Sequence, residues 1–256
     1  MPELTQLMEP CPGGYRIQAG DMMTAGTLGA KVLWGDPPRD VLMTAGHIVD
    51  NANAIVFQPS PLAAKVQRIG CVTQRSPLKT YRDLDDFLTP VDGHHVVSTF
   101  DFAFADVTIN PTATSRQIPG IHETDQSLVV RSPRNGDRVR WLGSATGTVL
   151  SGRVVDLSGA LLRTDRTGLV PVWPVTLIEV EGSTPSRDGD SGAAVVAEDG
   201  QLIGIHCWGA SNKSGRPFTW ASWIPPTPQD LAGGTFSASS KQVVLWVEKF
   251  KEWRNS

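Results

Sequence analysis

The chain has 256 residues, 40% hydrophobic and 19% charged, with a net charge of −3. That is enough for a sizeable core in one large domain or two small ones, and it excludes a partner held by bulk charge, so neither nucleic acid nor a membrane surface is expected. The 25 glycines and 19 prolines favour many short strands and turns over long helices.

The first half carries the apolar or β-branched runs Val32–Trp34, Val41–Thr44, Ala54–Phe57 and Phe102–Val107, which predict strands. The polar stretch Arg75–His95, with Pro77, Pro90 and Gly93, predicts a long surface loop whose Asp83, Asp85, Asp86 and Asp92 form a solvated acidic face. Asn110–Asp125 is rich in Pro, Thr and Ser and is the expected linker, with His122 exposed within it. The second half repeats the strand pattern at Leu128–Val130, Val139–Leu142, Gly152–Val155, Val175–Val180, Ala193–Val196 and Leu202–Ile205. One helix is predicted from Ser239 to Trp253. Val243, Val244, Trp246, Val247 and Phe250 fall near helical spacing there, and Ser239 or Ser240 stands ready to cap it. The whole is all-β with a terminal helix packed on a barrel.

Cys11, Cys71 and Cys207 lie far apart and form no C-x-x-C pair. An odd count without ligand spacing argues against a disulfide framework and a zinc site, and no cofactor is implied. His94-His95 has no acidic or cysteine partner at ligand spacing, so a loop is expected there and no metal site. The thiols fit a reducing compartment. The N-terminus lacks the basic and apolar regions of a signal peptide, so a cytoplasmic or intracellular location is the expectation. No apolar run approaches the length of a membrane span.

Three short motifs carry chemistry. Gly189-Asp190-Ser191-Gly192 puts a hydroxyl between glycines, where the backbone turns sharply and its amides stay open to a substrate. A serine hydroxyl needs a base to take its proton and N–H donors for the oxyanion that follows. Thr44-Ala45-Gly46-His47 supplies a histidine at a strand end, able to take and return a proton near neutral pH. Asp101 heads an apolar run, a costly place for a carboxylate unless it has a partner; orienting an imidazole would provide one. Asp106 is the rival but lies inside the strand. Each motif alone is a common structural feature; the order His, Asp, Ser excludes the subtilisin and α/β-hydrolase arrangements.

With these motifs in that order, the chain resembles chymotrypsin-fold serine proteases, nearest in pattern to bacterial streptogrisin-like and α-lytic-like enzymes. Tyr15–Asp21 and Gly26–Val32 resemble their opening strands, and Val139–Gly147 the start of their second barrel. Ile205-His206-Cys207-Trp208-Gly209 resembles a wall of their substrate cleft. The resemblance implies two six-stranded Greek-key barrels, residues 1–118 carrying His47 and Asp101 and residues 119–238 carrying the nucleophile, followed by a helix over 239–256. It implies Ser191 as nucleophile, His47 as general base then acid, Asp101 as its orienter, and the N–H groups of Gly189 and Ser191 as the oxyanion hole. It implies a peptide or protein substrate, and a primary pocket lined by Pro185, Ser186, His206, Trp208 and Gly209. No acidic residue stands at the pocket base. His206 and Ser186 match the positions used by relatives that cut after Glu or Gln, and Arg216 adds positive charge if it points inward. The chain departs from the family in having no Ile-Val-Gly-Gly start, so Asp190 lacks its usual partner. An arginine is expected instead, with Arg187, Arg138 and Arg140 as candidates. Two other readings stay open: a virus-encoded polyprotein-processing protease, and a catalytically inactive binding module on the same fold.

Overall fold

The computed structural model describes residues 5–20, 25–49, 51–59, 63–107, 110–157, 159–165, 168–227, 230–231 and 234–256. Asp21, the last residue of the expected opening strand, lies outside them.

The N-terminal half begins with β1 (Arg16–Ala19), β2 (Ala25–Thr27), β3 (Ala30–Trp34), β4 (Arg39–Thr44), β5 (Ile55–Gln58) and β6 (Gln67–Arg75), and is completed by β8 (Ala103–Asp106). These strands make one antiparallel sheet in the order β2-β1-β5-β6-β8-β4-β3. The second half supplies β9 (Arg138–Leu142), β10 (Val149–Asp156), β13 (Val175–Val180), β14 (Ala194–Ala197), β15 (Leu202–Ser211) and β16 (Pro217–Ser222). They close into a six-stranded barrel, β10-β13-β16-β15-β14-β9. β10 shows why: Leu150, Gly152 and Val154 turn inward while Arg153 and Val155 face out, the period-2 pattern of a half-buried strand. All four residues of β14 are buried, because one face meets the barrel interior and the other meets the N-terminal sheet. The core around Phe102, Phe104 and Met43 runs on into Leu142, Ala194 and Ile205, so both halves share apolar packing. The all-β architecture with a terminal helix is as expected.

The expected surface loop Arg75–His95 is not one. β6 runs to Arg75, a short helix α1 covers Leu84–Leu88, and β7 covers His94–Thr99. Asp83 caps α1 by accepting the Asp86 N–H at 2.8 Å, and Phe87 is buried beneath it. β7 joins β11 (Leu161–Asp165), β12 (Gly168–Trp173) and β17 (Thr235–Ser239) in a third sheet, order β11-β12-β7-β17. β12 runs parallel to β7, with Val172 opposite Ser98. His95 is therefore a buried strand residue. Its Nδ1 meets the Phe87 carbonyl at 2.8 Å and its Nε2 meets Ser240 Oγ at 3.2 Å.

The terminal helix α2 (Ser240–Asn255) starts at a capping box between Ser239 and Gln242. It packs mainly on the third sheet, where Val243, Trp246 and Val247 meet Val97, Leu162 and Leu169. Its last turns reach the barrel, where Trp253 lies edge-on to Trp220 at 4.5 Å. Val244, expected on the apolar face, is exposed. The Asn110–Asp125 segment is irregular but docked: Cys11 N–H donates to Ala113 at 2.7 Å and Gly13 N–H to Gln117 at 2.8 Å. His122 is half-buried and its Nε2 meets the Gln126 carbonyl at 2.8 Å. All three cysteines are free thiols. No helix among the described residues is long and apolar enough to cross a membrane.

Candidate active site

β4 ends at Thr44 and delivers His47 in a single 3-10 turn, Gly46–Ile48. Gly46 is required there: a Cβ would lie 2.9 Å from the backbone N and O of Phe102. That close approach brings His47 onto Asp101, which precedes β8. The backbone N–H of His47 donates to Asp101 Oδ1 at 2.8 Å, and His47 Nδ1 lies 2.6 Å from Oδ2. Asp101 is 0% exposed, and its own N–H donates to Ser222 Oγ on β16 at 2.9 Å, so the C-terminal barrel holds the backbone of the acid. Oδ2 takes one more donor, Arg163 Nη1 from β11 at 3.1 Å. Burial acts to raise the Asp101 pKa. The charge and hydrogen bond of His47 and the Arg163 guanidinium outweigh it and hold it at about 2, so the group is a carboxylate at any working pH.

Ser191 lies on a loop clamped from the other side. Gly189 and Gly192 have φ of +102° and +101°, backbone angles that favour glycine. A Cβ on Gly192 would also fall 2.2 Å from the carbonyl of Thr27. Thr27, at the end of β2, donates its N–H to the Ser191 carbonyl and its hydroxyl to the Gly189 carbonyl, both at 2.8 Å. Ser144 adds a second donor to Gly189 at 3.1 Å. With these carbonyls tied back, the Gly189 and Ser191 N–H groups are left without acceptors among the described residues, as an oxyanion site requires. Ser191 Oγ donates to the Cys207 carbonyl at 3.4 Å and makes no hydrogen bond to His47 in this conformation. Such contacts commonly tighten only when substrate is bound.

The expectation of an arginine beside Asp190 is overturned. Asp190 is buried, and Oδ1 accepts the N–H groups of Ala145 at 3.0 Å and Thr146 at 2.9 Å. Oδ2 accepts the backbone N–H of Arg187 at 2.8 Å and the Thr146 hydroxyl. Arg140 instead donates to the Gly120 carbonyl at 3.2 Å, and Arg138 lies exposed on β9. Backbone amides aimed at one carboxylate do the work of a cation. Gly143 makes room, since a Cβ there would meet Asp190 at 2.2 Å.

Of the expected pocket residues, His206 is 1% exposed on β15, and its ring stacks on Trp141 with centroids 6.4 Å apart. Burial pushes its pKa down to about 4 against the opposing pull of Asp190, so it is neutral near pH 7. Neither ring nitrogen has a hydrogen-bond partner among the described residues, and neither has the buried Ser186 Oγ. Ser186 lies against Gly209, where a Cβ would be 2.8 Å from its own. Trp208 is half-buried beside Trp220, with centroids 5.0 Å apart, and Pro185 is exposed. Arg216 departs from expectation: it lies just before β16, its side chain is 71% exposed and it pairs with Glu179 of β13 at 3.8 Å, so its charge serves the surface.

A family model for the trypsin-like peptidase domain matches residues 32–205. The chain belongs to the trypsin-like peptidase family. It is a serine endopeptidase of chymotrypsin-like fold, and its substrates are peptides or proteins. Among solved structures, this peptidase is similar to the chymotrypsin of Cellulomonas bogoriensis, with 20% identity, a TM-score of 0.55, and coverage of 89% of this chain and 97% of that one. Thermobifida fusca protease A is 15% identical with a TM-score of 0.56, covering 89% and 97%. A glutamic acid-specific serine protease that uses a histidine triad in substrate binding is 20% identical with a TM-score of 0.56, covering 88% and 98%. At these identities the likeness is one of fold. No curated protein sequence matches the chain.

The peptidase also uses residues that the motifs did not announce. Thr27, Thr146 and Ser222 are small hydroxyl residues whose long-range hydrogen bonds leave no local pattern. Arg163 did leave a trace, a charge directly after the apolar run Ala160-Leu161-Leu162.

Proposed function

We propose that this peptidase cleaves its substrate through Ser191, His47 and Asp101. His47 takes the Ser191 proton as Oγ adds to the scissile carbonyl. The resulting oxyanion is held by the N–H groups of Gly189 and Ser191. Protonated His47 then passes the proton to the leaving amine, giving an acyl-enzyme that water releases by the same steps in reverse. The observation that carries this reading is the buried His47–Asp101 contact at 2.6 Å beside a loop whose two N–H groups are free to donate. A fluorophosphonate probe that labels the wild type and fails to label Ser191→Ala supports it. Intact His47, Asp101 and Ser191 make an inactive binding module the weaker alternative.

The preferred residue before the scissile bond is Glu or Gln. Support comes from buried polar atoms without partners among the described residues, the ring nitrogens of His206 and Ser186 Oγ, which are costly to leave unsatisfied; a substrate carboxylate or amide oxygen would accept from the one ring N–H and from the Ser186 hydroxyl. A neutral His206 offers one donor and one acceptor, which suits hydrogen bonding in place of full charge pairing. A structurally similar peptidase is itself glutamic acid-specific. A peptide panel varied only at that residue should give kcat/KM for Glu or Gln at least tenfold above Phe and Lys; equal cleavage after Phe, Lys and Glu would sink the preference.

A further inference from the structure

Arg163 belongs to neither of the elements that carry His47 and Asp101. It lies in the middle of β11, an edge strand of the third sheet, between Leu162 and Thr164. Its side chain is only 6% exposed, and its Nη1 reaches the same carboxylate oxygen of Asp101 that holds His47 Nδ1. A guanidinium is costly to bury unless its partner is well placed, so this contact differs in kind from an exposed pair such as Arg82–Asp83. The charged or titratable groups facing the carboxylate are His47, Arg163 and, farther off, His206 and Cys207. Asp190 acts on His206 from the nucleophile loop. Behind His47, Arg75 Nε donates to the Gly46 carbonyl at 3.2 Å.

We propose that Arg163 is a positioning residue of the reaction, through which the third sheet fixes the Asp101 carboxylate and offsets part of its negative charge at His47. The proposal rests on the reading of His47, Asp101 and Ser191 as the catalytic set. An unaccompanied carboxylate stabilises the imidazolium that forms when His47 takes a proton. A cation sharing that carboxylate weakens the attraction and adds its own repulsion. Activity that depends on His47 accepting a proton is then expected to extend further on its acid side than it would beside an unaccompanied carboxylate. The same contact links chemistry to architecture, because β11 is held in place by β12 and by the helix α2.

The test is the pH profile of kcat/KM on a peptide substrate, using the full chain with Arg163→Met and Arg163→Lys. Near-UV circular dichroism confirms the fold of each variant. The acid limb of Arg163→Met should move up by about one pH unit, with Arg163→Lys lying closer to wild type. Should the methionine variant fail to fold, Arg163→Gln, neutral but still a donor, carries the same comparison. An acid limb unmoved in the neutral variant, however far the plateau falls, means a structural role only and overturns the proposal. So does a lysine variant shifted as far as the neutral one. Ser191→Ala run in parallel separates the two ideas: cleavage near the wild-type rate there defeats the triad reading, whereas an unmoved limb with Ser191→Ala reduced by orders of magnitude defeats the Arg163 proposal alone.

Discussion

Asp190 shows how much of this site is held by single atoms. Its carboxylate is buried and accepts from Ala145 N, Thr146 N, Thr146 Oγ1 and Arg187 N. Replacing it by Asn turns one acceptor into a donor aimed at other donors, which costs on the order of 1–3 kcal/mol. Because the residues on either side of Asp190 carry the free N–H groups, activity should suffer beyond stability. Asp190→Asn should lose at least tenfold in kcat/KM while remaining folded at 25 °C; unchanged kinetics would show that the loop is shaped without it. His47, Asp101 and Ser191 were visible in the sequence because glycine flanks or an apolar run mark each one locally. The partner of Asp190 was not visible. A nest of amides has no side-chain signature, so the sequence points to a cation at Arg187, Arg138 or Arg140, whereas the donor to the carboxylate among these is the backbone N–H of Arg187.

Among the elements, most strands of the sheet and barrel were readable from alternating or continuous apolar runs, and α2 from its spacing and serine cap. The third sheet was not. β7 opens with two histidines in a polar, proline-bearing stretch, and its pairing with β12 and β17 joins segments distant in sequence. That stability comes from tertiary packing, which no local period records. Trp246 is central to it, buried between Val97, Leu162 and Leu169. Trp246→Ala should destabilise the protein by about 3–5 kcal/mol in urea unfolding. It should also loosen β11 and so lower activity, although Trp246 is not part of the site. A loss below about 1 kcal/mol would mean that α2 is an appendage.

At the scale of the whole molecule, buried His206 and Asp101 link stability to acid pH in separate windows. His206 has a folded pKa of about 4, below its ordinary 6.5, so the unfolded chain takes up a proton first. The stability this burial permits is complete above pH 6.5 and is lost as pH falls towards 4, by on the order of 3 kcal/mol. Asp101 has a folded pKa of about 2, below its ordinary 3.8. Its contribution, on the order of 2 kcal/mol, is complete above about pH 4 and is lost as pH falls through 2. Urea midpoints should therefore decline in two stages on acidification, and His206→Gln should remove the upper stage alone. A single decline in wild type, or an upper stage that survives the substitution, would refute the assignment.

The most direct measurement is fluorophosphonate labelling of the full chain beside its Ser191→Ala variant. The predicted result is one covalent adduct, located on Ser191 by mass spectrometry and absent from Ser191→Ala. Labelling that persists in Ser191→Ala, or a folded wild type that never labels, would contradict a serine nucleophile at this position.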